Sequence, residues 1–140
     1  MAHRSGPLEA VVMIDPCFWR GRRVLVTGHT GFKGSWLTLW LLSLGAEVCG
    51  FALEPEPGRA LFTDLGLDQG QGNSNWGHFY HHLADVRDLQ NLSRCIDEAQ
   101  PEVVIHLAAQ SLVRRSYRDP LGTWVINLQG SLHLLEALRL

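Results

Sequence analysis

The sequence predicts an α/β fold built on a doubly wound parallel sheet, and three observations support this. Short apolar runs rich in Val, Ile and Leu alternate with apolar or amphipathic stretches of helical length. A glycine-rich turn lies between the first such run and the first long helix. The composition, 46% hydrophobic and 19% charged over 140 residues, is that of a globular protein large enough for one core.

The first strand and the first helix have the strongest patterns. Residues 23–27 (RVLVT) form a short apolar run that ends before a glycine, as in a strand buried on both faces of a parallel sheet. Apolar residues occupy nearly every helical position from 32 to 44, Trp36 and Trp40 among them, which predicts a heavily buried helix. Residues 47–53 predict a second strand, because prolines and a glycine follow directly.

The rest of the chain repeats this alternation. Asp88 and Asp119 are expected to be helix N-caps, the second followed by a proline at the first helical position. In order, the sequence predicts a short helix at 59–67, a surface loop at 68–77, a strand at 79–84, a helix at 89–99, a strand at 103–107 and a helix from 120 to the end of the chain. Because no glycine or polar cap closes the last helix, we expect a truncated chain. The expected fold is then an incomplete Rossmann-type sheet of about four strands with flanking helices.

Composition and charge narrow the function classes. The net charge is −2 without a basic excess, so nucleic acid is not an expected partner. The apolar stretches are far shorter than the ~20 residues that a membrane helix requires, so we expect no membrane association. The three cysteines form neither a CxxC pair nor an even-numbered framework, which indicates the reducing cytoplasm. A small molecule is the expected partner.

The candidate phosphate-binding site is the turn TGHTGFKG at 27–34, between the first strand and the first helix. Its first glycine permits a tight turn, the second lets backbone approach a pyrophosphate, and the third lets the helix pack on the strand. The helix amino terminus adds free N–H groups and partial positive charge. The alternative is a tight turn without a ligand, but its position favours dinucleotide binding. The predicted cofactor-binding residues of this turn are Gly28, His29, Thr30, Gly31, Phe32, Lys33 and Gly34.

Lys33 is the only lysine of the chain. Its ammonium group either lies beside the pyrophosphate or is a solvated charge at the start of the helix. The sequence leaves both interpretations open.

The histidines and cysteines do not predict a metal site. His78, His81 and His82 lie in or beside one strand, where adjacent residues point to opposite faces. No cysteine or carboxylate completes a ligand set with them in the sequence pattern, so we expect no metal. Cys49 and Cys95 are interpreted as buried apolar residues.

The segment after the fourth strand is a candidate substrate site. Ser111, Arg114, Arg115 and Ser116 follow that strand at the carboxyl edge of the sheet, where ligands bind in such folds. An arginine there would meet a substrate phosphate, or else the segment is a solvated, charged loop. We retain Ser111, Arg114 and Ser116 as candidate substrate-binding residues. His106, within the strand, is expected to be a hydrogen-bonded core histidine and not a catalytic base.

Three segments, TGHTGFKGSW, HLAAQSLVRRSY and NLQGSLHLLEALR, resemble the extended short-chain dehydrogenase/reductase family of NAD-dependent epimerases and dehydratases. The resemblance covers residues 18–140. Within the family, the chain is most similar to the nucleotide-sugar 4,6-dehydratases. His29, Lys33, Trp36 and the run VRRSY at 113–117 fit the branch that acts on CDP-glucose. The resemblance therefore implies NAD as the cofactor and a nucleotide sugar, CDP-glucose, as the substrate.

The resemblance also implies cofactor contacts outside the turn. Asp85 and Val86 correspond to the pair that addresses the adenine, although Asp85 would otherwise be a loop carboxylate that caps the next helix. Asn127 matches an asparagine near the cofactor, its alternative being a polar residue within a helix. The residues that match the stretch beneath the nicotinamide ribose are Leu107, Ala108 and Ala109.

The choice between NAD and NADP depends on the end of the second strand. The family's acidic residue that binds the adenosine ribose should fall near Ala52, but the first carboxylate is Glu54, beyond the strand. Because of this departure, no residue is firmly assigned to bind the adenosine ribose. No arginine lies at that strand end, the nearest being Arg59, so NAD is favoured over NADP.

The catalytic pair of the family is missing from this chain. That pair is a tyrosine with a lysine four residues later, and the lysine favours the phenolate that takes a proton from the sugar. Tyr80 is followed at this spacing by Ala84, and Tyr117 by Leu121, so no catalytic residue is assigned. We expect the pair beyond Leu140 and predict that these residues alone do not catalyse dehydration.

The resulting organisation is an amino-terminal extension at 1–17 and a truncated NAD-binding domain at 18–140, with the substrate domain absent. The complete enzyme is expected to be a homo-oligomer, and the isolated piece to expose apolar surface and to be poorly soluble. Two alternatives stay open. The chain is part of another sugar-nucleotide epimerase or reductase of the family, or it is a non-catalytic NAD-binding relic.

Overall fold

The computed structural model describes residues 15–55, 57–58, 60–69 and 77–140. Most of the predicted surface loop at 68–77 and of the predicted extension at 1–17, as well as Arg59, lies outside the described residues. In chain order, the described residues form α1 (Pro16–Trp19), β1 (Arg23–Thr27), α2 (Phe32–Ser43), β2 (Glu47–Ala52), α3 (Leu61–Asp64), a 3₁₀ turn (Leu67–Gln69), β3 (Phe79–Leu83), α4 (Leu89–Ala99), β4 (Val103–His106), α5 (Val113–Arg118), α6 (Pro120–Trp124), a π-helical segment (Val125–Gln129) and α7 (Gly130–Arg139).

The four strands form one parallel sheet in the order β3-β2-β1-β4. Val24 of β1 pairs with Val48 of β2 on one side and with Val103 of β4 on the other. This is the 3-2-1-4 part of the doubly wound strand order, so the predicted Rossmann-type fold is confirmed. The carboxyl ends of the strands, where such folds bind ligands, lie along one edge.

Helices cover both faces of the sheet because strand residues alternate between two cores. Leu25 and Phe51 belong to the core beneath α4 and α7. Val24, Val26 and Val48 belong to the core beneath α2 and α3. The central strands are therefore buried on both faces, as their apolar runs predicted.

The two predicted N-caps are confirmed. Asp88 Oδ1 accepts a hydrogen bond from Asn91 N at 3.0 Å, at the start of α4. Asp119 Oδ1 accepts one from Gly122 N at 2.8 Å, at the start of α6. Each cap satisfies a backbone donor that has no partner within the helix.

Helix α2 is less buried than the sequence predicted. Trp36 and Trp40 are 50% and 49% exposed, whereas Leu41 and Leu42 are buried. A helix packed on one sheet can bury only the stripe that faces the sheet, so apolar residues on its other side remain at the surface.

Three features of the described chain were not predicted. Helix α1 begins at the N-cap Asp15, and its Trp19 packs against the core. Residues 113–118, predicted as a loop, form α5. The last helical run contains the π-helical segment Val125–Gln129, and such segments are frequent at functional sites. Within the described ranges, no helix is long and apolar enough to cross a membrane.

Candidate cofactor-binding site

The turn between β1 and α2 is compact, and the fold itself requires glycine at two of its positions. Gly28 has a φ of +75°, and its N–H donates to Phe51 O at 2.8 Å. A Cβ on Gly28 would lie 2.6 Å from Ala108 N, and a Cβ on Gly34 would overlap Gly28 O. A side chain at either position would therefore collide with backbone atoms.

Gly31 differs from these two glycines because the protein does not need it for packing. Its φ of −75° and ψ of 167° suit any residue, and a Cβ there would meet only Gly28 O, at 3.4 Å. Gly31 is the N-cap of α2 and provides no side-chain cap. The N–H groups of Phe32, Lys33 and Gly34 have no preceding helical carbonyl to bind. The turn thus presents backbone donors and the positive end of the helix dipole to an anion.

Side chains of the turn are either anchored or free. Thr30 Oγ1 donates to Leu53 O at 2.9 Å, which ties the turn to the end of β2. Phe32 is 72% exposed, and Lys33 is also exposed. Among the described residues, Lys33 forms no salt bridge, so its ammonium is available to an anion at the turn.

The His29 side chain points away from the turn and into the core. It is fully buried, lies edge-on to Phe62, and places Nε2 3.0 Å from His81 Nδ1. Gly50 makes room for it, because a Cβ there would lie 2.6 Å from the imidazole. Burial, together with the nearby His81, lowers the pKa of His29 to about 3, so the ring is neutral. Any contact of His29 with a cofactor is therefore limited to its backbone.

The segment after β4 runs directly against the turn. Leu107 N and Ala108 N both donate to Thr27 Oγ1, at 3.1 and 3.2 Å. This contact brings the backbone of Leu107 and Ala108 against Gly28. Ala109 follows and is exposed. The structure thus brings these three predicted residues to the same sheet edge as the glycine turn.

A series of hydrogen bonds connects this edge to the π-helical segment. Thr27 Oγ1 lies 2.6 Å from His106 Nδ1, and His106 Nε2 lies 3.0 Å from Ser131 Oγ. Ser131 Oγ donates to Asn127 O, so it accepts from His106 Nε2–H, and His106 Nδ1 accepts from Thr27. This pattern requires the neutral ring, and burial lowers the pKa of His106. His106 is a hydrogen-bonded structural histidine, as predicted.

Asn127 holds the loop after β4 in place. Its Oδ1 accepts from Gln110 N at 2.7 Å, and its Nδ2 donates to Gln110 O at 3.2 Å. Gln110 is itself buried and donates to Thr123 Oγ1 at 3.1 Å. The amide of Asn127 is therefore engaged by backbone near the predicted cofactor edge. Sequence reasoning missed Gln110, whose only indication was its place directly after HLAA.

Asp85 and Val86 follow β3 at the same edge. The Asp85 carboxylate accepts from Arg87 N at 2.9 Å and pairs with Arg87 Nη2 at 2.5 Å, and these hydrogen bonds lower the pKa of Asp85. Since Asp88 caps α4, Asp85 is not the helix cap that the sequence left as an alternative. Val86 is buried, and a Cβ on Gly130 would lie 2.6 Å from its side chain, so the Val86 side chain packs within the protein.

The candidate substrate residues lie on and beside α5. Ser111 and Arg114 are exposed, and Ser116 Oγ donates to Val113 O at 2.7 Å. The segment that one alternative interpreted as a charged loop is instead a helix that gathers arginines around a shallow pocket, which Ser111 and Ser116 do not line. The pocket, about 460 Å³, is lined by Leu112, Val113, Arg114, Arg115 and Arg118.

The sequence pattern did not indicate that two cysteines lie beside one of the histidines at positions 78–82. Cys49 of β2 and Cys95 of α4 lie beside His82 of β3, and their possible ligand atoms are within 4.8 Å of one another. The cysteines are 46 residues apart and meet only because α4 packs on β2. No short spacing motif could have indicated this cluster.

Comparison with known proteins gives consistent matches over this region. A family model described as GDP-mannose 4,6 dehydratase matches residues 25–140. The chain is 46% identical over 127 residues to CDP-glucose 4,6-dehydratase of Salmonella typhimurium, covering 91% of this chain and 33% of that protein. It is 35% identical to GDP-mannose 4,6-dehydratase of Yersinia enterocolitica, covering 85% of this chain and 32% of that protein.

A solved structure matches this chain over a similar share of its length. UDP-glucose 4-epimerase of Thermus thermophilus, in complex with NAD, superposes with a TM-score of 0.66 at 35% identity. The match covers 84% of this chain and 33% of that one. The chain therefore spans about a third of the length of the curated relatives and solved structures that it matches.

Proposed function

Because the chain belongs to the GDP-mannose 4,6 dehydratase family, we propose that it is the NAD-binding part of a nucleotide-sugar 4,6-dehydratase that acts on CDP-glucose. The identity of 46% to a CDP-glucose 4,6-dehydratase supports this substrate. In this proposal residues 18–140 form the cofactor domain after an extension at 1–17. The substrate domain and the Tyr-x-x-x-Lys pair belong to sequence that these 140 residues do not contain.

The observation that carries the proposal is the glycine at position 31. Gly28 and Gly34 are explained by packing within the protein, but Gly31 is not. A glycine that packing does not require, at the N-terminus of a 12-residue helix, is explained by the close approach of a ligand phosphate. The exposed Lys33 in the same first turn would add positive charge beside it.

The remaining cofactor contacts in the proposal come from the carboxyl ends of the neighbouring strands. The Asp85 carboxylate and the Val86 backbone would address the adenine, and Leu107–Ala109 would lie beneath the nicotinamide ribose. Asn127 would act as a positioning residue, because its amide holds Gln110 and thereby the end of this loop. We propose NAD over NADP, since no arginine lies at the end of β2, and the first carboxylate after the strand is the exposed Glu54.

In the complete enzyme, bound NAD would supply the hydride-transfer chemistry that accompanies loss of water from the sugar, without net consumption of the cofactor. The product would be CDP-4-dehydro-6-deoxyglucose. This chain's own contribution is to bind and orient the cofactor. Arg114, on the arginine-lined pocket of α5, would contact a substrate phosphate, and Ser111 and Ser116 flank it on the same segment.

The test is calorimetric titration of the purified chain with NAD and NADP. We expect NAD to bind more tightly, and Gly31→Ala to weaken it about tenfold or more while the free energy of unfolding falls by about 1 kcal/mol or less. Ser43→Ala, at the other end of α2, is the matched control and should bind NAD normally. Absence of NAD binding, or equal binding by Gly31→Ala, would contradict the proposal, and so would turnover of CDP-glucose by this chain alone.

A sugar-nucleotide epimerase is the second candidate, favoured by the similarity to the T. thermophilus epimerase. Both candidates need NAD at the glycine turn, so they differ only in the product formed by a chain that includes the catalytic pair. A dehydratase releases water from CDP-glucose, whereas an epimerase leaves its mass unchanged. Mass spectrometry of the product separates them.

Location and assembly complete the proposal. We infer a reducing cytoplasm, which suits three free thiols. A homo-oligomeric complete enzyme is supported by the exposed apolar residues of the last helices, including Leu128, Leu132 and Leu135.

A further inference from the structure

Two thiols and an imidazole meet beneath helix α4, away from the glycine turn. Cys49 Sγ of β2 lies 3.5 Å from Cys95 Sγ of α4. A ring nitrogen of His82, on β3, lies within 4.8 Å of both sulfurs. Both cysteines are buried, whereas the His82 side chain is 34% exposed. The cluster therefore has a closed side formed by sulfur and an open side at the imidazole.

The fold places these side chains together through strand register and helix period. In the parallel pairing of β2 with β3, Cys49 is opposite Tyr80 and Phe51 is opposite His82. Alternate residues share a face, so Cys49 and His82 point to the same side of the sheet. Helix α4 covers that side with the buried residues Leu92, Cys95, Ile96 and Ala99.

The donor set suits a borderline-soft divalent cation. Thiolate and imidazole are the preferred ligands of Zn²⁺, and two sulfurs at about 2.3 Å from a tetrahedral zinc are about 3.8 Å apart. The observed separation of 3.5 Å is close to this value. The imidazole needs to approach the sulfurs by at most about 1 Å, since its nitrogen lies within 4.8 Å of them and a tetrahedral site brings nitrogen and sulfur to about 3.6 Å apart. Its partial exposure leaves room for that rotation.

A fourth ligand is within reach. Glu98 lies one turn after Cys95 on α4, and its Oε2 is 3.6 Å from His82 Nε2. A carboxylate is a common oxygen ligand of zinc, and water from the open side is the alternative. Glu98 would also orient the imidazole if a water takes the fourth position.

We propose that Cys49, His82 and Cys95 form a zinc-binding site, completed by Glu98 or by water. An ion bound there links the edge strand β3 to β2 and α4, and so stabilises the outer edge of the sheet. In the doubly wound order, further strands add next to β4, so the β3 edge stays outermost in a complete sheet. The proposal does not depend on the proposed function, because the glycine turn contributes no ligand.

The present contact between the thiols agrees with this. The Sγ atoms of Cys49 and Cys95 lie 3.5 Å apart, so one thiol donates its S–H to the other, and a bound metal ion would displace the thiol protons. A disulfide is the competing fate of such a pair, but it requires an oxidant and a sulfur separation of about 2.05 Å.

Titration of the purified, metal-free chain with Co²⁺ under reducing conditions tests the proposal. We expect one equivalent to bind, with a thiolate-to-cobalt charge-transfer band and the intense visible absorption of tetrahedral cobalt, and Zn²⁺ to displace it. Cys49→Ser and Cys95→Ser should lose the charge-transfer band. Cys17→Ser, at an exposed cysteine outside the cluster, is the matched control and should keep it.

Replacing a buried cysteine can unfold the chain as well as remove a ligand, so His82→Gln serves as a second test. His82 is partly exposed, so His82→Gln should leave the fold intact and weaken zinc binding about tenfold or more. His78→Gln, at an exposed histidine outside the cluster, should leave both the fold and zinc binding unchanged. Zinc should also raise the melting temperature of the unaltered chain. A chain with reduced thiols, verified by thiol titration, that binds no cobalt overturns the proposal, as does an unchanged cobalt spectrum in Cys49→Ser.

Discussion

The two neighbours of β1 are joined to it in different ways. Toward β2, the contact is close packing: Val48 and Phe51 are fully buried, and the Gly28 N–H donates to Phe51 O at 2.8 Å. Toward β4, all four strand residues are only partly buried. There the end of the strand is held by hydrogen bonds that run from Thr27 through His106 to the last helices.

This difference separates two roles. At Gly28 and Gly34 the glycine turn is defined by contacts that tolerate no added atom, which keeps the backbone donors of α2 in one arrangement. The β4 side is defined by directional polar contacts, and outside them the last helices expose apolar side chains such as Trp124 and Leu135. The first region is suited to bind a cofactor as it stands. The second presents the surface on which we expect more protein to pack.

Gly34→Ala should have the largest effect on stability, because it adds an atom inside the closely packed glycine turn. The added Cβ would overlap Gly28 O, a backbone atom that cannot move without breaking the turn. We expect a loss of about 3 kcal/mol or more in the free energy of unfolding, measured by urea denaturation. Gly31→Ala, three residues earlier, is the control and should lose about 1 kcal/mol or less. Equal midpoints for the two variants would show that the turn is not packed as described.

The buried His29 should make the packed side sensitive to acid. Its pKa is lowered by burial to about 3, against an ordinary value of 6.5, so the unfolded chain binds a proton that the folded chain excludes. Stability is therefore complete above pH 6.5 and falls as the pH drops toward 3. Between pH 7 and pH 5 the loss attributable to His29 is about 2 kcal/mol.

Urea unfolding at both pH values measures this loss. His29→Gln should remove the part of the pH dependence attributable to His29, about 2 kcal/mol, and leave the part due to His81 and His106, whose pKa values burial also lowers. His78→Gln, at an exposed histidine, should leave the pH dependence as it is. A similar slope in the unaltered chain and in His29→Gln would place the titrating group elsewhere.

The features predicted correctly from sequence are those with local causes. The run at 23–27, the N-caps Asp88 and Asp119, and the glycines of the turn each act on their immediate neighbours in the chain. The alternation of strands and helices along the chain is sufficient to predict the fold class, because parallel strands joined by helices have few possible arrangements.

The features missed depend on contacts between distant residues. His29 adjoins the phosphate turn, yet its ring enters the core because Gly50, on another strand, leaves a space there. The Cys49–Cys95 contact depends on how α4 lies on the sheet. Asn127 was expected near the cofactor, but the partner that engages its amide, Gln110, becomes visible only when β4 and the π-helical segment are adjacent.

Asn127→Leu tests the β4 side of the sheet, which polar contacts hold in place and which we call the polar side. It removes two hydrogen bonds and leaves the N–H and the carbonyl of the partly buried Gln110 backbone unpaired, which should cost about 2 kcal/mol. NAD affinity should fall as well, because the loop from Leu107 loses its attachment. Gln129→Leu, at an exposed amide in the same π-helical segment, is the control and should change neither quantity much. If both variants unfold alike, the hydrogen bonds of Asn127 do not hold this side.

Leu135→Glu should have the smallest effect on folding, because it changes the exposed surface of the polar side and none of its hydrogen bonds. Leu135 is 65% exposed, whereas its neighbour Leu134 is 4% exposed and packs in the core with Leu92. The glutamate also lies four residues before Arg139, a favourable pairing on a helix. We expect the free energy of unfolding to change by about 0.5 kcal/mol or less, and sedimentation to show weaker self-association. Leu134→Ala should cost about 2 kcal/mol or more. If Leu135→Glu destabilised the chain as much as Leu134→Ala does, this face would already be packed, and the contrast between the two sides of β1 would be lost.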